Sequence, residues 1–359
     1  MATIRLLTCL LGVALILMGH MLAASPLQRR AGVVPSLSGG PAIMGAGTYP
    51  RANFLQDGSI IGAFTAFPDG NNAIVVVHST DGGVTWNQIG TVATGDSATH
   101  DIDNPYVLQL PSGRVLAAFR NHDRTAPTTY TFFRITVCYS DDGGATWTYL
   151  STPASDPGPT NGNWEPFLRS AQDGSLQIYY SRENSAADQD SLMRTSTDGG
   201  MTWSDATTIS GGELTSTRDG MLGVTTVSGS NLIAVFETET NGGQFTIGSV
   251  TSPDDGNTWG NRQTVYTPTS ANANANAPQV INVGGTLVAS FQTNEDEPGN
   301  DDGTDAKVLT SGDGGATWGN KLTFSNIESH WPGLLDIDGG SLLGLADDGG
   351  AKAQKITIG

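Results

Sequence analysis

An eight-residue pattern, Ser-x-Asp-x-Gly-x-Thr-Trp, occurs five times in this 359-residue chain and constrains its fold more than any other feature. It reads STDGGVTW from Ser79, SDDGGATW from Ser140, STDGGMTW from Ser196, SPDDGNTW from Ser252 and SGDGGATW from Ser311. Successive starts lie 61, 56, 56 and 59 residues apart, and self-similarity at a fixed period is the mark of a repeat architecture. Each element suits a hairpin turn. The Asp carboxylate accepts backbone N–H bonds, Gly supplies positive φ, the hydroxyls add bonds, and the Trp ring is buried beside the turn. Folding hairpins, not catalysis, is the role these octapeptides predict.

The same order of strand-like runs surrounds each octapeptide. In the second unit it is PYVLQL, a turn at PSGR, VLAAFR, FFRITVCYS, the octapeptide and TWTYLS. Four short strands per unit describe a propeller blade. Residues 31–359 divide into six such units, and the last, from His330, stops one strand early. The stretch before Tyr49 is expected to supply the missing outer strand. The fold expected is therefore all-β: one six-bladed β-propeller, four antiparallel strands per blade, closed by the N-terminal strand. Many of the 47 glycines fall in these turns.

Residues 1–25 carry Arg5, an apolar run from Leu6 and small residues Ala23, Ala24 and Ser25, the layout of a secretory signal peptide. Arg29 and Arg30 make residues 26–30 a short dibasic propeptide, leaving 31–359 as the mature domain. Removing three Arg takes the net charge from −18 to −21, which argues against nucleic acid and anionic membrane surfaces as partners. Cys9 lies within the signal, so Cys138 has no disulfide partner. A secreted monomer is expected.

In a propeller the starts of innermost strands share one face with the ends of second strands, and the octapeptides fall on the other. The starts are Tyr49-Pro50-Arg51, Asp103-Asn104-Pro105, Trp164-Glu165-Pro166, Arg218-Asp219-Gly220, Asn276-Ala277-Pro278 and His330-Trp331-Pro332. Second-strand ends add Arg120, His122, Asp123, Arg182, Glu183, Glu237, Glu239 and Gln292. That is a concentration of polar groups in a chain only 14% charged. Glu165 stands beside Trp164, a setting that raises a carboxyl pKa, and Glu237 ends the apolar run LIAVFE on the next blade. Adjacent blades bring two such groups within the range of paired-carboxylate glycosidases. The residues alone leave a second reading open, in which both acids pair structurally with Arg51, Arg182 or Arg218. Asp219 and Glu239 are rival carboxylates. No HxxH or HExxH spacing occurs, so no metal or other cofactor is expected. NEDEPGNDDGTD (Asn294–Asp305) lacks EF-hand order and SANANANAP (Ser270–Pro278) has low complexity; both are expected to be loops.

The octapeptides resemble the Asp-box repeats of the sialidase superfamily. NWEPFLR, STRDGM and LIAVFETET further resemble the fungal exo-α-1,5-L-arabinanases of glycoside hydrolase family 93, over nearly the whole mature chain. That resemblance implies a secreted, retaining enzyme that releases arabinobiose from the non-reducing end of linear α-1,5-arabinan. It implies Glu165 as general acid/base and Glu237 as nucleophile, although the order could be reversed. Arg51, Asp103, Asn104, His122, Arg218 and Asp219 would bind sugar hydroxyls, with Tyr106, Trp164 and Trp331 as stacking surfaces. The last tyrosine is Tyr266, so the sixth unit offers no phenol for a sialidase nucleophile, and NANANAPQ offers no third arginine. A sialidase-type exo-glycosidase and a non-catalytic carbohydrate- or protein-binding propeller are the alternatives.

Overall fold

The structure is a computed structural model that describes residues 32–300, 302–326 and 328–358. The expected signal peptide and dibasic segment lie outside the described residues. Two short strands, β1 (Pro35–Leu37) and β2 (Ala42–Gly45), come first. One antiparallel sheet follows, of β3 (Thr48–Phe54), β4 (Ile60–Ala66), β5 (Asn71–Ser79) and β6 (Asn87–Asp96). The next comprises β7 (His100–Gln109), β8 (Val115–Ala126), β9 (Thr129–Ser140) and β10 (Thr148–Pro157). Then come β11 (Asn163–Ser170), β12 (Leu176–Ser185), β13 (Asp188–Ser196) and β14 (Thr207–Ser210). They are followed by β15 (Thr217–Ser228), β16 (Asn231–Thr240), β17 (Thr246–Ser252) and β18 (Gly260–Tyr266). The chain continues with β19 (Ala275–Val283), β20 (Thr286–Thr293), β21 (Asp305–Ser311) and β22 (Gly319–Ser325), then β23 (Ser329–Asp336), β24 (Ser341–Asp348) and β25 (Ala351–Ile358).

This is an all-β propeller arrangement. The six separate sheets expected are found as five hydrogen-bonded sheets among the described residues. A single parallel bridge between Gln189 and Arg218 joins β13 to β15 and fuses two four-stranded runs. The innermost strands β3, β7, β11, β15, β19 and β23 each pack on the next, and β23 packs back on β3. β1 and β2 both pair with β25, Pro35 opposite Ile358 and Ala42 opposite Ala353. Thr310 Oγ1 donates to Val33 O at 3.0 Å, so the first described residues also reach β21.

The octapeptides act as the turn chemistry predicts. In the first, Asp81 Oδ1 accepts Thr85 N–H at 2.9 Å while Oδ2 accepts the Thr85 hydroxyl at 2.6 Å. Ser79 Oγ accepts Gly83 N–H at 2.9 Å, and Trp86 Nε1 donates to Gly83 O at 3.0 Å. The same bonds recur in the other four, except that Trp203 donates to Ser151 Oγ. Each Trp packs into the apolar cluster between its own run and the preceding one, as Trp147 does beside Ile61, Val76 and Ala117. Adjacent sheets thus share a core, which explains how the described residues, whose one cysteine, Cys138, is a buried free thiol, hold their ring.

Two loop expectations are refined. Ala275–Pro278 belong to β19 and only the residues before them form a turn. In Asn294–Asp305, whose last residue opens β21, three acids are paired: Lys307 Nζ with Asp296 at 2.5 Å and Asp305 at 3.4 Å, and Lys321 with Glu295 at 2.5 Å.

Candidate active site

Every innermost strand carries the same irregularity. Its ladder to the second strand breaks at one bulged residue: Tyr49, Asn104, Glu165, Met221, Ala277 and Trp331. All six have φ between 42 and 54°, and five precede proline. Residues with a Cβ are held in that region only where their surroundings over-determine them, and such strain gathers at functional sites. Tyr49, Met221 and Ala277 are buried in one cluster with Trp331 packed against it, although they come from four different runs. The bulges therefore meet at the centre of the ring. Met221, Ala277, Trp331 and Tyr49 make a contiguous apolar arc, and Asn104 and Glu165 complete the circle.

Glu165 is half-buried on this ring. Burial raises its carboxyl to about 8, the negative charge of Glu237 adds to the rise, and Arg120 and the Ser181 hydroxyl oppose it. Glu237 stands opposite Gly220 on β16, also half-buried. Its pKa is raised by burial, against which the Ala277 N–H bond and the charge of Arg218 act to hold the carboxylate. Glu237 Oε2 accepts that N–H at 2.8 Å. Among the described residues neither glutamate forms an ion pair. The cations that the structural reading assigned to them are engaged elsewhere: Arg182 with Asp156, Arg218 with Glu183 at 2.7 Å, and Arg51 with the carbonyls of Pro50 and Trp331.

Of the other residues singled out from the sequence, Asn104, Trp164 and Trp331 lie at the bulges, with Asp103 beside Asn104. Asn104 Oδ1 and Trp164 Nε1 are buried without a hydrogen-bond partner. Asp103 is occupied by Arg120 at 3.0 Å, the Thr65 hydroxyl at 2.6 Å and Asn104 N–H at 2.7 Å. Arg51 is buried, with its guanidinium 3.9 Å from the centre of the Tyr49 ring. Arg218 is committed to Glu183, Gln189 and Ala186 O.

Three placements differ from expectation. His122 is fully buried, with Nε2 bonded to Asn163 O at 2.8 Å and its ring edge-on to Trp164, so it supports Trp164 from behind. Burial lowers it to about 3. Asp219 is fully buried in a fork with Arg262, at 2.5 and 2.8 Å, and in the ladder it takes the place of the buried Asn163, not of Glu165. Tyr106 packs on Phe167, with ring centres 4.4 Å apart and planes tilted by 48°, within the core between β7–β10 and β11–β14. In the ladder, Gly220-Met221-Leu222, not Arg218-Asp219-Gly220, matches Trp164-Glu165-Pro166, and Thr48-Tyr49-Pro50 matches it in the first unit.

Sequence reasoning placed Tyr49 and Arg120 on this face without giving either a role, and it missed Met221 and Ser181 as parts of the centre. Tyr49 had a signal, since an aromatic before proline recurs at Trp331-Pro332. Met221 had none, because its run has Leu222 in place of the proline. The cavities found elsewhere, about 310 Å³ beside Phe324 and about 500 Å³ beside Trp259, contain neither glutamate.

A propeller with two carboxyl groups at its centre that form no ion pair among the described residues is the class that fold and site define. No protein-family model and no curated protein matches the chain. Among solved structures it is similar to an α-L-arabinanase from Penicillium chrysogenum complexed with arabinobiose, at TM-score 0.69 and 18% identity over 90% of this chain and 99% of that one. It is likewise similar to the GH93 α-L-arabinofuranosidase of Fusarium graminearum with arabinobiose, at TM-score 0.70 and 20% identity over 89% and 97%. An intramolecular trans-sialidase from Ruminococcus gnavus in complex with oseltamivir carboxylate gives TM-score 0.60 and 14% identity over 89% and 97%. What these likenesses establish is the shared fold.

Proposed function

We propose that the chain is a secreted, monomeric, retaining glycoside hydrolase of the family-93 kind, an exo-α-1,5-L-arabinanase that releases arabinobiose from linear arabinan. The observation that carries the reading is the contrast between two carboxyl groups at one centre: Glu165 raised to about 8 and Glu237 held by an N–H. Similarity to two structures described with arabinobiose supports the substrate class. The reading includes a six-bladed ring closed by β1 and β2, supported by the six equivalent bulges and the pairing on β25. It also includes a signal peptide over residues 1–25, a dibasic segment over 26–30 and one catalytic domain from residue 31.

In this scheme protonated Glu165 gives its proton to the leaving O5 as the glycosidic bond breaks, and Glu237 Oε1, the oxygen not held by Ala277, attacks the anomeric carbon. Water then loses a proton to Glu165 carboxylate and displaces Glu237, so two inversions return the starting configuration. Asn104 would bind the sugar beside Glu165, and Trp164 and Trp331 would offer it stacking faces. Asp103, Arg51 and Arg218 would shape the site from behind.

A sialidase-type reading asks for free arginines and an ionised phenol. Arg51 and Arg218 are both committed, and burial raises the Tyr49 phenol so that it stays protonated. The test is incubation with linear arabinan, debranched arabinan and a sialoside, with chromatography of the products. Arabinobiose alone supports the reading; a ladder of oligomers means endo cleavage, sialic acid means a sialidase, and no release favours a binding module.

A further inference from the structure

Among the described residues three ion pairs join different four-stranded runs, and two of them cross the junction between β11–β14 and β15–β18. That junction also carries the parallel bridge, and it separates Glu165 from Glu237. It is clamped at both ends. On the ring's active face Arg218 Nη2 pairs with Glu183 at 2.7 Å and donates to Gln189 Oε1 at 2.8 Å. Gln189 Nε2 sits so close to Gly220 that a Cβ there would lie 2.2 Å away. On the opposite face Arg169, at the end of β11, pairs with Asp255. Asp255 Oδ2 accepts Gln172 N–H at 2.7 Å, and its carbonyl accepts Gln177 Nε2 at 2.8 Å.

Asp255 is the departure from the repeat. The other four octapeptides have Gly82, Gly143, Gly199 and Gly314 at this place, with φ of 70–74°, and Asp255 keeps the left-handed conformation at φ 59°. The turn needs no carboxylate there, and glycine suits it better. What the carboxylate adds is the bond to the neighbouring run.

We propose that Asp255 is a positioning residue that, through Arg169, clamps this junction and so fixes the spacing of Glu165 and Glu237. The proposal rests on the reading of those two glutamates as the catalytic pair. The charged and titratable groups facing Glu165 are Glu237 from β16, Arg120 from β8, Glu183 from β12 and Tyr49 from β3. Only Glu237 moves with β15–β18, so its field at Glu165 reports the width of the junction.

The experiment uses the full chain with ¹³C-labelled glutamate carboxyls, Glu165 being assigned by the loss of its signal in Glu165→Gln. Asp255→Gly restores the residue of the other four turns. Asn282→Ala removes side-chain bonds to Thr226 O and Val227 O across the neighbouring junction and serves as the comparison. In Asp255→Gly the Glu165 pKa is expected to fall by about half a unit or more as the Glu237 charge recedes. With linear arabinan, kcat is expected to fall about tenfold with KM little changed. Asn282→Ala should change neither. Arg169→Gln, which leaves Asp255 on Gln172, should repeat the shift and serves if Asp255→Gly fails to fold. A Glu165 titration the same in Asp255→Gly, Arg169→Gln and the unaltered chain overturns the proposal. If instead the pKa shifts but Glu165→Gln keeps full activity, the clamp stands and the catalytic reading fails.

Discussion

Glu237 and Ala277 are joined across adjacent runs, the Glu237 carboxylate accepting the N–H of the bulged Ala277 at 2.8 Å. The same link recurs on either side with neutral partners: Ser181 Oγ accepts Met221 N–H at 3.0 Å, and Gln292 Oε1 accepts Trp331 N–H at 2.6 Å. One of the two proposed catalytic acids therefore occupies a place in a structural series that does not require an acid. Glu237→Gln should keep the link through its amide oxygen, leave the melting temperature close to that of the unaltered chain, and lower kcat on the order of 10⁴-fold. Thermal denaturation alongside arabinan hydrolysis checks both halves.

Glu165 acts in the scheme only when protonated. Because its pKa is raised to about 8, kcat/KM should hold through neutral pH and fall tenfold per unit above it. A carboxyl raised in the folded state stabilises the fold fully below its unfolded pKa of about 4.5, and that stability is lost as pH rises through about 8. Glu165→Gln removes the loss, so its melting temperature at pH 9 should exceed that of the unaltered chain although its activity is gone. Paired pH–rate and pH–melting profiles test this.

His122 gives the opposite sign. Its folded pKa is lowered to about 3 by burial, so the unfolded chain takes up a proton that the folded chain does not. The stability it contributes is present above its unfolded value of 6.5 and is lost as pH falls from there toward 3. His122→Gln should flatten the fall in melting temperature over that window. It should raise KM more than it lowers kcat, since His122 supports Trp164, a surface proposed to bind the sugar.

How much of this was legible in the chain divides along a physical line. The octapeptide period gave the strand order because each turn's bonds lie within eight residues. Glu165 was visible through its Trp164-Glu165-Pro166 setting, which four other strand starts share as a residue before proline. Side-chain direction was not visible. A strand turns successive side chains to opposite faces, and a bulge resets that alternation. Asp219, two residues before the bulge at Met221, takes the ladder place of the buried Asn163 and ends on Arg262, while Arg218 beside it reaches Glu183. Nor could the sequence show that His122 lies behind Trp164, because that depends on Asn163 O in another sheet. The fused sheet escaped notice for the same reason, resting on one bridge between Gln189 and Arg218.

The central claim is that Glu165 and Glu237 cleave arabinan with retention. Proton NMR of the first sugar released from linear α-1,5-arabinan tests it most directly, because the anomeric signal is read before mutarotation. The account predicts α-arabinobiose as the first product, absent with either Glu165→Gln or Glu237→Gln. A β-anomer released first, or release undiminished in either variant, would contradict it.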